Sequence, residues 1–333
     1  MSTQNVSTQN VNRAAVGAIL GAAVGDAAGA VLEFMGSVPT QEDVEWALSM
    51  PGGGCWGVAP GQITDDTELA IMQADGLLAS RGEPDLDELA RGYCAWARGG
   101  PFDIGNTTAR AFMRGEPSAK ACRGRADERP SRANGSLMRM TPMGVWGSGM
   151  SPQLAGAAGA ADSRLSHSHP SAVGACGAYA AAIAYLVRNH GTAAAARLAS
   201  SAIDVARGFL ASDPEFAEPL LWLNRAVADE RVAFQPHDGY AEIAFTNAFR
   251  HLARASSFED AMRQTLLGGG DTDTNAAIVC GLIGALHGDA AIPPEWSSRV
   301  LSCDTSEGRP RPALLSSSRI PTLAVRLAHA HGA

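Results

Sequence analysis

GGGDTDTNAAIVCGLIGALHG, residues 268–288, opens on three glycines, passes through acids alternating with threonines, and ends in an apolar stretch rich in Ala and Gly. It reads as a glycine-rich turn feeding an apolar helix. The same plan occurs earlier in the chain. PGGGCWGVAPGQI (51–63) is a Gly/Pro-rich loop, and TDDTELAIMQADGLLASRG (64–82) follows it with Leu69, Met72, Gly76 and Leu77 on a 3.6-residue period. From Arg13 onward the chain also reads as helix, with Gly17, Gly21 and Gly25 four residues apart on one face. A face of that kind lets a second backbone approach closely. Further helices are predicted at 87–98, from Arg110, and at 155–162, 172–189, 192–212, 215–231, 242–255 and 257–267, with Pro293–Pro294 opening a last one. Residues 123–135 are polar and Arg-rich and read as an exposed loop. No stretch alternates in the manner of a strand. The pattern predicts an all-α fold, a single compact domain of a dozen or so helices.

Composition narrows the class. The chain has 333 residues, of which 46% are hydrophobic and 18% charged, which excludes global disorder. Its net charge of −8 argues against a general nucleic-acid binder, since that would carry a basic face. The six cysteines form no CxxC pair, so neither a disulfide scaffold nor a zinc site is expected, and reduced thiols are. Ala14–Phe34 is nearly apolar over a membrane-spanning length, but Asp26 inside it and Glu33 near its end make a lipid location costly. The first 12 residues carry no positive charge of the signal-peptide kind. No membrane association and a cytoplasmic location are the resulting expectations. Residues 1–12, a polar repeat of STQNV, read as a flexible arm, 13–304 as the domain, and 305–333, rich in Pro, Ser and Arg, as a weakly ordered tail.

The two acidic helix starts carry the chemistry. Thr64-Asp65-Asp66-Thr67 and Asp271-Thr272-Asp273-Thr274 each follow glycines and each begin an apolar helix. One reading is capping, because Asp and Thr satisfy free N–H groups and the helix dipole favours negative charge there; Asp65 and Glu68 even have capping-box spacing. The other reading begins from the excess of acids, since a cap needs one oxygen and each segment supplies two carboxylates. If the two starts converge, the carboxylates must protonate or be neutralised in a shared pocket. Two divalent cations would balance them. The donors Thr64, Asp65, Asp66, Asp271, Asp273 and Thr274 are all hard oxygens, which favours Mg²⁺ or Mn²⁺ over Zn²⁺.

Six motifs in order point further: GAAVGDAAGAVLEF at 21–34, TDDT at 64–67, GPFDIGNTT at 100–108, NGSLMR at 134–139, SHSHP at 166–170 and GGDTDT at 269–274. With these the chain resembles the ADP-ribosylglycohydrolase family, of the dinitrogenase-reductase-activating type, over about residues 13–300. The resemblance implies an all-α domain with a dinuclear Mg²⁺ or Mn²⁺ cleft, and every position of the family's ligand set is retained at Thr64, Asp65, Asp66, Asp271, Asp273 and Thr274. It places Glu33 as the acid facing the substrate ribose, Asp26 as an anchor behind the ligands, and Asp103 beside the scissile bond, where it can contact a guanidinium. Asn134, Gly135 and Ser136 match a turn contacting ribose and phosphate. His167 matches the family histidine, with Ser166 where Thr is commoner, and His169 reads as structural. Gly52–Gly54 and Gly268–Gly270, with Gly53, Gly54, Gly269 and Gly270 as candidate substrate contacts, would turn N–H groups toward a diphosphate. Trp56 reads equally as a border to adenine or ribose and as a core residue.

The activity so implied is hydrolysis of the bond between ADP-ribose and a protein side chain. Arginine is the first choice because GPFDIGNTT resembles the arginine-directed branch. Asp66 or Glu33 would activate the water and Asp103 would hold the leaving group, with an ADP-ribosylated protein as substrate and ADP-ribose as product. Two alternatives stay open. One is an O-linked substrate: serine-linked ADP-ribose, poly(ADP-ribose) or O-acetyl-ADP-ribose. The other is a non-catalytic immunity protein that binds ADP-ribose or blocks a cognate transferase toxin.

Overall fold

The structure is a computed structural model that describes residues 3–80, 82–234 and 239–331. Among the described residues it has sixteen α-helices and no strand, only the isolated bridges Gly53–Val58 and Ala133–Tyr240. In chain order these are α1 (Thr3–Gly29), α2 (Gln41–Leu48), α3 (Asp65–Ala79), α4 (Leu86–Arg98), α5 (Asn106–Phe112), α6 (Ala119–Asp127), α7 (Thr141–Trp146) and α8 (Pro152–Ser163). They continue with α9 (Pro170–Asn189), α10 (Ala195–Ala211), α11 (Ala217–Val227), α12 (Ala241–Ala253), α13 (Phe258–Leu266), α14 (Thr272–His287), α15 (Pro294–Leu301) and α16 (Ile320–Ala328).

The axis of the molecule is the antiparallel pair α1 and α14. Gly17, Gly21, Gly25 and Gly29 face Gly284, Cys280, Ala276 and Asp273 in turn. A Cβ on any of the four would sit 2.3–2.6 Å from backbone of α14, so the two helices touch main chain to main chain. The small-residue face read from the sequence is therefore an interhelical seam, and Gly29 extends it by one turn. The packing matters for the site, because it brings the C-terminal end of α1, which carries Asp26, against the acidic start of α14. Helix α9 is long and apolar enough to cross a membrane, but it is buried among the other helices as a core element.

Three expectations need correction. Helix α1 begins at Thr3, so most of the expected arm continues the helix; Asn12 Oδ1 accepts a hydrogen bond from His329 Nε2 at 2.6 Å. Residues 1 and 2 of that arm, and 332–333 of the expected tail, lie outside the described residues. The tail otherwise folds back. Ile320, Leu323, Ala324 and Leu327 form a buried stripe on α16, and Arg319 forks onto Asp75 of α3. Its Pro, Ser and Arg content masked that stripe. Finally, part of the Arg-rich 123–135 stretch is α6, capped by Ser118, with Cys122 and Ala126 buried. Four of the six cysteines are buried and all six are free.

Candidate active site

Two helix starts and one carboxylate from a third helix make the floor. Asp26, fully buried on α1, accepts from Thr64 N (3.0 Å) and Thr64 Oγ1 (2.8 Å) on one oxygen, and from Thr67 N (3.1 Å) and Thr67 Oγ1 (2.5 Å) on the other. It thus pins the first turn of α3 to α1, while the glycine seam pins α14 to the same helix. The two starts meet: Thr274 Oγ1 lies 3.3 Å from Asp66 Oδ2, and Thr64 Oγ1 lies 3.5 Å from Asp273 Oδ2. Neither helix is capped by its own N-cap side chain. Thr64 is turned to Asp26, and Asp271 Oδ2 accepts from Asn134 Nδ2 at 2.7 Å. The capping reading therefore does not account for these acids.

Above the floor is a cleft of about 540 Å³. Glu33, Asp65, Asp103, Asp271, Asp273 and Thr274 line it, with Asn134, Gly135, His167, Gly270 and Trp56 in its walls. Carboxylate oxygens of Glu33, Asp271 and Asp273 lie within 4.8 Å of one another. Trp56 Nε1 donates to Glu33 Oε2 at 2.5 Å, which leaves one carboxylate oxygen of Glu33 for the cleft. Trp56→Phe keeps the ring and removes the donor. Steady-state kinetics should show kcat lowered by about tenfold, the loss of one charge-assisted hydrogen bond of about 1.5 kcal/mol.

The electrostatics are severe. Burial pushes the Asp65, Asp66 and Asp273 carboxyls well above the usual carboxylate range, and neighbouring acids add to it. Burial likewise raises Asp26 to about 6, against the hydrogen bonds from Thr67 and Thr64. Asp103 is raised to about 7 by burial and the Asp271 charge, and Glu33 to about 8 by burial, with Trp56 opposing. Asp66 Oδ1 is buried with no hydrogen-bond partner. A cluster of oxygen donors that repel each other, with an orphaned carboxylate oxygen among them, suits hard divalent cations.

One wall is built by the Asn134–Arg139 segment. Arg139, fully buried, pairs with Asp162 (Nε to Oδ2, 3.0 Å), donates to Gly135 O and Ser166 Oγ at 3.0 Å each, and lies 4.7 Å from the Tyr93 ring centre. Ser166 Oγ in turn is 2.8 Å from His167 Nδ1. One guanidinium thus sets both Gly135 and His167 at the cleft. Arg139→Met strands Asp162 as a buried charge with one fewer partner. It should cost about 3–5 kcal/mol, read as a fall in the midpoint of urea unfolding.

The structure does not bring every expected residue to the cleft. Ser136 points inward, to Ser163 Oγ at 2.9 Å. Gly53 is engaged in a turn with Val58, Gly54 packs on Val31, and Gly269 packs on Pro39; none of the three lines the cleft. Thr64 and Asp66 lie beneath it. His169 caps α9 by accepting from Ser171 N, as its structural reading expects. Sequence reasoning missed Phe34, Ile104, Met138 and Tyr240, which line the cleft without a chemical signature. It also missed Glu68, which is buried and held by Trp96 Nε1 (2.7 Å) and by both Arg311 Nε and Nη2 (2.7 and 2.8 Å), while Arg311 Nη1 donates to Gly100 O. Through Arg311 the C-terminal segment ties α3 to the loop that carries Asp103.

Known proteins are similar to this chain over most of its length. The sequence profile of the family described as ADP-ribosylglycohydrolase matches residues 7–331. The ADP-ribosyl-[dinitrogen reductase] glycohydrolase of Rhodospirillum rubrum is 29% identical over 301 residues, covering 87% of this chain and 91% of that protein. The ADP-ribosylarginine hydrolase Tri1 of Pseudomonas putida (strain GB-1) is 29% identical over 295 residues, covering 86% of this chain and 74% of that protein. A solved ADP-ribosylglycohydrolase-related protein complex superposes with a TM-score of 0.69 at 27% identity, over 97% of this chain and 99% of that one.

Proposed function

The chain belongs to the ADP-ribosylglycohydrolase family, and from that membership we propose that it is a cytoplasmic, divalent-metal-dependent hydrolase releasing ADP-ribose from arginine-modified protein. The observation that carries the proposal is the convergence of carboxylate oxygens of Glu33, Asp271 and Asp273 within 4.8 Å in a cleft that Asp65 and Asp103 also line. Thr64, Asp65, Asp66, Asp271, Asp273 and Thr274 would hold two Mg²⁺ or Mn²⁺ ions. When bound, such ions supply Lewis-acid polarisation of substrate oxygens and lower the pKa of water.

The chain's own residues do the rest. Bond cleavage at ribose C1 builds positive, oxocarbenium-like charge, which a wall of carboxylates stabilises. Glu33, with one oxygen fixed by Trp56, or Asp66 on the floor, orients and deprotonates the attacking water. Asp103 faces the leaving guanidinium, whose positive charge favours the ionised carboxylate. Asn134, Gly135 and His167 border the ribose, and Gly270 the diphosphate. Arginine is the acceptor favoured, because Asp103, a carboxylate able to pair with a guanidinium, lines the cleft and two relatives are named ADP-ribosylarginine hydrolases.

The test is release of ADP-ribose, detected by mass, from arginine-modified protein and from serine-modified peptide, with Mn²⁺ and with EDTA. Release from arginine in Mn²⁺ and none in EDTA is the expected result. Release from serine alone would move the acceptor to the O-linked class, full activity in EDTA would remove the metals, and tight binding without release would make the protein a binder.

A further inference from the structure

A second cavity, of about 490 Å³, lies outside the catalytic cleft between the 230–234 segment, α12 and α13. One face of α12 lines it with Thr246, Asn247, Arg250 and His251, and Arg254, the residue that ends the helix, continues that face by one turn. The other face of the same helix is apolar and packed, with Ile243, Ala244, Phe245, Ala248, Phe249 and Leu252 buried. A helix buried on both sides ordinarily carries apolar residues all round. This one buries polar Thr246, Arg250 and His251 instead, and two of the three have an atom without a partner. Thr246 Oγ1 and His251 Nε2 are buried without a hydrogen bond, while Asn247 Nδ2 donates to Thr265 Oγ1 at 3.0 Å and His251 Nδ1 lies 3.1 Å from Ser256 Oγ. Thr246 is 1% exposed and His251 0%. Arg250 and Arg254 both pair with Asp229, Nε to Oδ1 at 2.7 Å and Nη1 to Oδ2 at 2.9 Å. A buried polar atom without a partner is destabilising, and a ligand group that reached Thr246 or His251 would supply one.

We propose that this cavity is a binding site for a small organic phosphate, separate from the catalytic cleft. Arg231, Arg250 and Arg254 line it against one lining carboxylate, Glu230, with Asp229 paired to two of them from outside the lining, and Thr246 and His251 line it from α12. Val232, Phe234 and Leu267 give it an apolar wall for a ring or chain. Its volume is that of a nucleotide-sized ligand site, typically about 300–1,000 Å³. The wall is also shared with the active site. The Phe234 ring approaches to 2.7 Å of where a Cβ on Gly268 would stand, and the Phe234 carbonyl to 2.9 Å of the corresponding point on Gly270. That turn delivers Asp271. An occupant pressing on Phe234 would bear on the acidic start of α14.

The experiment is calorimetric titration of the full chain with AMP, with inorganic phosphate and with citrate, repeated on Thr246→Val, Arg254→Gln and Asp103→Asn. The expected result is one AMP site per chain, weakened about tenfold (about 1.4 kcal/mol) by Thr246→Val and by Arg254→Gln, and unmoved by Asp103→Asn. Citrate should bind at least about tenfold more weakly than AMP. Both pocket variants are mild, Arg254 being half exposed and Thr246→Val isosteric, and unchanged circular dichroism confirms that they fold. AMP binding lost in Asp103→Asn but kept in the α12 variants would place the ligand in the catalytic cleft and overturn the proposal. So would no binding by AMP or phosphate, accompanied by a high-resolution structure with only waters on Thr246 and His251.

Discussion

Asp66→Asn should abolish turnover, by at least about 10²–10³-fold, and in the presence of a chelator it should raise the melting temperature. The two effects have one cause. Asp66 is buried, its carboxyl is pushed well above the usual range by burial and by Asp26 and Asp65, and its Oδ1 has no partner. Without cations, the uncharged amide removes the repulsion with Asp26 and Asp65 and offers N–H donors to the surrounding carboxylates, worth about 1–3 kcal/mol. With cations, the same change removes a donor, so Mn²⁺ should stabilise the wild-type chain more than the variant. Differential scanning calorimetry in EDTA and in Mn²⁺, beside a turnover assay, separates the terms. A variant that is less stable in EDTA, or one that keeps its activity, would contradict this reading.

The pH dependence follows with a definite sign. Asp26, Asp103 and Glu33 titrate at about 6, 7 and 8 in the folded chain, above their unfolded values of 3.8, 3.8 and 4.5. The folded state thus holds more protons than the unfolded state across that window, and its stability must fall as pH rises through it. In EDTA the wild-type melting temperature should therefore decline between pH 5 and pH 8 on account of these groups. Cations should flatten the slope, since they favour the ionised acids.

Gly29→Ala should damage both stability and catalysis, although residue 29 touches no substrate. Its Cβ would stand 2.4 Å from the Cα and N of Asp273 and 2.5 Å from Thr272 O. These are backbone atoms, so no side chain can swing away and α1 must part from α14. Overpacking of this kind costs about 1–3 kcal/mol. The separation also carries Asp273 away from Thr64 and Asp66, and a misplacement of about 1 Å costs on the order of 10²-fold in kcat. Gly208 on α10 is the control, because a Cβ there meets nothing within 4 Å. Gly208→Ala should leave activity unchanged and stabilise by up to about 1 kcal/mol. Equal effects at the two glycines would show that the seam does not position the acids.

How far the sequence could be read depends on distance along the chain. The glycines at 17, 21 and 25 and the acids at 64–67 and 271–274 are local signals, and they mark the seam and both helix starts. What they meet is not local. That Gly25 lies against Ala276, or that Thr274 reaches Asp66, is decided by packing between segments some two hundred residues apart. Glu68 shows the same limit. Its spacing from Asp65 fits a capping box, yet its real partners are Trp96 and Arg311. Ser136 failed for a different reason: it sits in a turn whose neighbour Asn134 faces the cleft, and the backbone sends its own hydroxyl inward to Ser163. The tail failed on composition, because Pro, Ser and Arg hid the short buried stripe of α16.

The central claim is that two distant acidic helix starts jointly hold a pair of cations. Anomalous diffraction from Mn²⁺-soaked crystals tests it most directly. Two peaks about 3.5–4 Å apart should appear between Asp65 and Asp66 on one side and Asp271 and Asp273 on the other. A cleft without manganese, or a lone ion bound by only one of the two helix starts, would contradict it.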